Sequence, residues 1–114
     1  MEKKGKIRLL CLHGFNTNKE VLNYQLRFLK AKYADKLEFV PVDGPLQKDA
    51  QADETLLTRG FKPPFFEWYN IDSKNYTIPD MGDTLNYLVS VLNREGPFHG
   101  FFAFSGANGV VTAF

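Results

Sequence analysis

Apolar positions along the chain fall into short blocks of two periods. Ile7-Arg8-Leu9-Leu10-Cys11-Leu12 is a nearly continuous apolar run closed by His13-Gly14, the pattern of a strand buried on both faces and ended by a turn. Asn16-Thr17-Asn18 then offers N-cap side chains. Val21, Leu22, Gln25, Leu26, Phe28, Leu29 and Tyr33 follow mostly at i, i+3, i+4 spacing, which predicts an amphipathic helix of about four turns. Leu37 to Val42 is a second β-rich run, stopped by the turn signal Asp43-Gly44-Pro45. Between residues 46 and 79 the periodicity fades into a mixture of Asp, Gln, Thr, Pro and aromatic residues. A second long helix opens at Pro79-Asp80, with Leu85, Leu88, Val89 and Leu92 on one face and a stop at Asn93 to Pro97. Phe98 to Phe104 is a third strand, running into Ser105-Gly106-Ala107-Asn108-Gly109 and the start of another helix at Val110. This alternation predicts an α/β fold: a three-layer sandwich around a mostly parallel sheet of Rossmann-like order, with right-handed crossovers.

Length and composition narrow the class. A chain of 114 residues has room for one domain at most, and 44% hydrophobic with 24% charged residues is the composition of an ordinary globular domain. Fourteen basic residues against thirteen acidic ones, scattered apart from Lys3, Lys4 and Lys6, give no footprint for nucleic acid. The lone Cys11 cannot form an intrachain disulfide, and the first apolar run is too short for a signal peptide or a membrane span, so the expected location is cytoplasmic. Aromatic residues make up 15% and cluster at Phe61 to Tyr69 and Phe98 to Phe104. The first cluster lies in the 46–79 excursion, and a segment of that length inside a small domain is expected to act as a lid or binding segment or to plug a core edge.

Candidate chemistry gathers where ligands of parallel sheets gather, beyond the carboxyl ends of the strands. Ser105 stands on the tight turn between the third strand and the next helix, the arrangement of a nucleophile elbow, in which the turn exposes the hydroxyl and the helix amino terminus favours developing negative charge. Acyl transfer needs two backbone N–H donors for the oxyanion. One would come from Gly106, after the serine, and the other from Phe15, in the loop after the first strand, where Gly14 lets the backbone bend close. His13, Trp68 and Tyr69 are candidates for lining the substrate pocket. His13, Cys11 and His99 lack the spacing of a metal-ligand set, so no metal is expected.

Five pieces of the sequence together are similar to the FSH-type serine hydrolases of the α/β-hydrolase superfamily. They are Leu12-His13-Gly14-Phe15 with Asn16-Thr17-Asn18, the Asp43-Gly44-Pro45 turn, Phe66-Glu67-Trp68-Tyr69, Gly96-Pro97-Phe98-His99-Gly100, and Phe104-Ser105-Gly106-Ala107. The resemblance covers nearly the whole chain. It implies a hydrolase of carboxylic esters or thioesters that works through an acyl-enzyme on Ser105, with Phe15 and Gly106 as the oxyanion hole, no cofactor, and a small-molecule ester or acyl substrate. It also implies a triad Asp and His placed after the serine, yet residues 106–114 hold no Asp, Glu or His. His13 belongs to the first turn, and His99 stands where the family carries an acidic residue. The family's Gly-Phe-Ser-Gln-Gly-Ala corresponds here to Ala103-Phe104-Ser105-Gly106-Ala107, one residue shorter. Residues 1–114 therefore read as a single incomplete domain, the amino-terminal portion of a truncated α/β-hydrolase fold through its nucleophile.

The alternative is a noncatalytic or pseudo-hydrolase domain that keeps the sheet and binds a partner or acyl ligand. It would expose an apolar edge on the third strand, open to self-association. A phosphate cradle at Ser105-Gly106-Ala107-Asn108-Gly109 is a third option, but it lacks both GxxxxGK[ST] and GxGxxG.

Overall fold

The computed structural model describes residues 6–48, 54–72, 74–75, 77–104 and 107–113. In chain order its elements are β1 (Ile7–Leu12), α1 (Lys19–Gln25), α2 (Arg27–Lys32), β2 (Leu37–Val42), β3 (Leu46–Gln47), α3 (Glu54–Thr58), β4 (Phe66–Glu67), α4 (Met81–Glu95), β5 (Gly100–Ala103) and α5 (Ala107–Ala113). The three apolar runs form one parallel sheet in the order β2-β1-β5, with Ile7 opposite Leu37 and Leu9 opposite Gly100. The central strand is the most apolar one, as burial on both faces requires.

Alternation along β1 divides the core in two. Leu10 and Leu12 point to one face, where Leu88 and Val91 of α4, Val110 of α5 and Trp68 cover them. Cys11 points to the other, against Leu22, Leu26 and Phe39, with Phe102 and Phe104 packed alongside. Helices on both faces make the expected three-layer α/β sandwich. Each of the fully buried leucines contributes about 1.5–3 kcal/mol of hydrophobic stabilisation. The one charge in the β1 run is also accounted for. Arg8 leaves the apolar layer to donate from Nη1 to the carbonyls of Glu95 (2.6 Å) and Pro97 (2.9 Å), and it stacks 4.7 Å from the centroid of Phe98. An ion pair with Glu38 at 3.4 Å completes a clasp joining β1, β2 and the end of α4.

Two helices differ from the periodicity reading. The predicted four-turn helix is divided at Leu26, which closes α1 and opens α2 with φ −86° and ψ −1°. At the division the Tyr24 carbonyl accepts from the Arg27 guanidinium, which also stacks on the Tyr24 and Phe28 rings. The backbone ladder nonetheless runs across the division, with the Leu26 N–H donating to the Leu22 carbonyl at 2.9 Å and the Lys30 N–H to the Leu26 carbonyl at 2.8 Å. In α4 the buried face is Thr84, Leu88 and Val91, whereas Val89 is 45% exposed. Periodicity grouped Val89 with Leu85, Leu88 and Leu92 because apolar character was the signal, and it passed over the polar Thr84.

The 46–79 excursion contains short elements: β3 and β4 pair antiparallel, Leu46 opposite Glu67, and α3 lies between them. The third strand is shorter than its apolar run, and β5 forms one edge of the described sheet, with Phe101 and Phe102 half-buried. Among the described residues no helix is long and apolar enough to cross a membrane.

Candidate active site

The register of the sheet determines what can meet at its carboxyl end. Leu12 lies opposite Ala103, and the Phe104 N–H donates to the Leu12 carbonyl at 3.1 Å. The Ala107 N–H then donates to the Phe104 carbonyl at 3.0 Å as α5 begins. Ser105 and Gly106 lie outside the described residues, between two flanks that are placed. The chain leaves β1 toward β2 on one side, and β5 sits on the other, so the crevice between β1 and β5 is the topological switch point of the sheet.

The turn after β1 is tied down from several directions. His13 is fully buried, and its Nδ1 lies 2.7 Å from the Gly14 carbonyl. Its Nε2 accepts the Gly44 N–H at 2.9 Å. A carbonyl can only accept and an N–H can only donate, so the ring carries its proton on Nδ1 and is neutral. Burial holds its pKa below the ordinary histidine value, outweighing the upward pull of the Gly14 carbonyl and the Asp43 carboxylate. The Thr17 hydroxyl donates to the same Gly14 carbonyl at 3.0 Å. Asn16 takes a left-handed φ of 51°, which Asn tolerates better than most residues. Asn18 caps α1 by accepting the Val21 N–H at 2.9 Å, and its amide donates to the carbonyls of Lys62 and Pro64. The Phe15 N–H meets no acceptor among the described residues.

The excursion closes over this turn. Trp68 is buried with its ring centroid 5.1 Å from that of His13, and its indole N–H donates to the His13 carbonyl at 2.9 Å. The Thr84 hydroxyl of α4 donates to the Trp68 carbonyl from below. Tyr69 meets Phe15 edge to face, with centroids 5.7 Å apart, and its hydroxyl lies 3.1 Å from where a Cβ on Gly109 would sit. Phe15 is 41% exposed. Tyr69 therefore reaches the first turn of α5 and Phe15 packs on Tyr69, while His13 and Trp68 are buried as a packed pair in the core. Asp43 serves its own turn: its carboxylate accepts the Lys19 N–H at 2.8 Å, and its carbonyl accepts the Tyr87 hydroxyl at 2.5 Å. Beside that turn, a cleft of about 220 Å³ opens between Asn18, Lys19, Asp43 and the Pro63-Pro64 segment.

The remaining chemistry-bearing groups stand apart. His99 precedes β5, where its Nδ1 accepts the Arg8 N–H at 3.0 Å. At roughly 3.3 Å per residue it is about 16 Å from Phe104, at the opposite end of the sheet. Cys11 is buried, and burial pushes its thiol up to about 11, which leaves it protonated and inert. Among the described residues no group of His, Cys, Asp and Glu could hold a metal ion. Thr17 and Thr84 matter here without having stood out in the sequence. Thr17 had a weak signal as part of an N-cap cluster; Thr84 had none, because its role depends on a carbonyl from the aperiodic segment.

The chain is similar to proteins of fungal origin. It is 28% identical to an uncharacterized hydrolase of Schizosaccharomyces pombe over 92% of its own length, which is 27% of that protein. It is also 28% identical to the esterase alnB of Emericella nidulans over 94% of its length, or 35% of that protein. The chain thus spans about a third or less of the length of these relatives. No solved structure matches it at a significant level. The family model for serine hydrolases (FSH1) matches residues 1–113, and with the order of turns described above it shows that the chain belongs to the FSH1 serine hydrolase family.

Proposed function

We propose that the chain carries the nucleophile-bearing portion of a carboxylic-ester or thioester hydrolase that acts through an acyl-enzyme on Ser105. The observation that carries this is the hydrogen bond from Phe104 to Leu12, which joins the flank of Ser105 to the end of β1, ahead of a turn whose Phe15 N–H meets no acceptor among the described residues. In this reading Ser105 attacks the acyl carbon, and the Phe15 and Gly106 N–H groups bind the oxyanion. Phe15 and Tyr69 offer an apolar border suited to an acyl or aryl group of a small-molecule ester. The base is neither histidine of this chain: both nitrogens of His13 are engaged in the core, and His99 lies at the far end of the sheet.

A fluorophosphonate probe and a short aryl ester test the proposal. Ser105 should be labelled, and Ser105→Ala should not. Without a base from its own histidines, this chain is expected to show only the roughly 10³-fold residual acceleration that oxyanion donors and binding provide when triad members are removed. Absence of both labelling and turnover would remove the hydrolase reading for this chain. The engaged histidines favour one further reading, a noncatalytic domain that binds an acyl ligand or partner, for which ligand binding without labelling is the expected result.

A further inference from the structure

Gly14 has the most heavily held carbonyl in the β1 turn. It receives the His13 Nδ1–H at 2.7 Å and the Thr17 hydroxyl at 3.0 Å, one from the residue before it and one from three residues after. The Gly14–Phe15 peptide is trans, since the cis bonds among the described residues are Pro63–Pro64 and Gly96–Pro97. In a planar trans peptide the carbonyl and the following N–H point in opposite directions. Holding the Gly14 oxygen toward His13 and Thr17 therefore holds the Phe15 N–H away from both, on the side where no acceptor meets it among the described residues. Turning that peptide over would break two hydrogen bonds at once. It would also leave the buried Nδ1–H of His13 without a partner.

We propose that His13 and Thr17 are positioning residues that lock the Gly14–Phe15 peptide, so that its N–H is preorganised as an oxyanion donor. Neither side chain touches the substrate. His13 holds one end of the lock in the core: its Nε2 is tethered to Gly44, its ring packs on Trp68, and the charged group facing it is the Asp43 carboxylate, beside the Tyr87 phenol. Thr17 holds the other end at the base of α1, where its own carbonyl accepts the Phe66 N–H at 2.7 Å. The inference rests on the proposed hydrolase reading for the use of the N–H. The lock itself is independent of that use.

The experiment has two arms. In the kinetic arm, Thr17→Val, which keeps shape but loses the hydroxyl, should slow fluorophosphonate labelling of Ser105 about tenfold or more, a part of the 10²–10³-fold that a whole oxyanion donor supplies. The loss should fall on the limiting rate rather than on the half-saturating probe concentration. Thr17→Ser should recover to within about twofold of the parent, a rescue that general destabilisation would not produce. In the structural arm, the ¹⁵N spectrum of the unmodified chain should show His13 with a protonated Nδ1 and an unprotonated Nε2. The Phe15 amide should be a single resonance that broadens or doubles in Thr17→Val. His13→Asn, which keeps an N–H near the Nδ1 position, should preserve the single resonance if it folds. A ring protonated on Nε2, or an unchanged Phe15 amide in Thr17→Val, overturns the lock. Labelling of Thr17→Val at the parent rate overturns its role in positioning. If the parent chain does not label at all, the hydrolase reading fails by itself and the structural arm still decides the lock.

Discussion

Gly44 is the position where the β2 turn, the excursion and His13 meet, and replacing it with alanine tests whether that junction holds the fold. A Cβ there would sit 2.6 Å from the Glu67 carbonyl oxygen, 3.0 Å from its carbon and 3.3 Å from Trp68 Cδ2. The first two contacts are with backbone of β4, so no rotamer change relieves them. Either β4 or the Gly44 backbone must move, and overpacking of this kind costs about 1–3 kcal/mol. Movement of Gly44 also withdraws the N–H that His13 Nε2 accepts, and an orphaned buried acceptor costs a further 1–3 kcal/mol or so. Gly44→Ala should therefore destabilise by about 2–6 kcal/mol, a large share of the roughly 6–17 kcal/mol typical for a domain of this length. The melting temperature should fall by about 8–25 °C. Trp68 is the single tryptophan of the chain and lies within the junction, so its fluorescence during urea unfolding reports the transition directly. A midpoint lowered at unchanged slope is the expected result. A Gly44→Ala chain within about 0.5 kcal/mol of the parent would refute the close approach of β4 to this turn.

Three further outcomes follow from the same geometry. Gly82 lies in α4 with open space around its would-be Cβ, so Gly82→Ala should stabilise by about 0.5–1 kcal/mol, and a lowered urea midpoint would contradict its placement. His13 stays neutral in the fold while an unfolded histidine titrates near 6.5, so the unfolded chain binds the extra proton as acid is added. Stability should be flat just above that pH and fall below it by up to about 1.4 kcal/mol per pH unit until the folded ring also titrates. Burial raises the Glu67 carboxyl, which pulls the opposite way at the acid end of this window; urea midpoints in a His13→Gln chain should lose the His13 slope. Cys11, with its thiol pushed up to about 11, should resist a disulfide reagent at pH 8 in the native chain and react once urea unfolds it.

The sheet and its switch point were legible because each rests on a local signal. Ile7–Leu12 and Leu37–Val42 carry apolar runs bounded by turns, and their lengths match the strands. The α4 face was legible only in part, since hydropathy cannot reveal that Thr84 turns inward to meet the Trp68 carbonyl. The division at Leu26 leaves no trace in the spacing of Val21, Leu22 and Leu29. Within 46–79 the order comes from outside the segment. Phe66 bonds to Thr17, the Lys62 and Pro64 carbonyls bond to Asn18, and the Trp68 indole bonds to His13. A segment held by its partners rather than by its own period has no pattern to read.

The same distinction applies to the two histidines. By residue type each is a candidate base, and only their surroundings separate type from role. His13 sits at the ligand end of the sheet, but both of its nitrogens are spent on backbone groups in the core. Recruiting it as a base would require the Gly44 N–H to release Nε2, at the cost of a buried unsatisfied donor. It would also require the ring to accept a charge that its burial opposes. His99 is more exposed, yet the strand between it and Phe104 spans roughly 16 Å, several times the reach of a proton transfer. On the proposed reading, acid–base chemistry at Ser105 would thus need groups other than these two, whereas the Phe15 N–H offered as oxyanion donor follows a Gly14 carbonyl held by His13 and Thr17. What that reading asks of His13 is therefore support of that backbone from the core, not proton transfer.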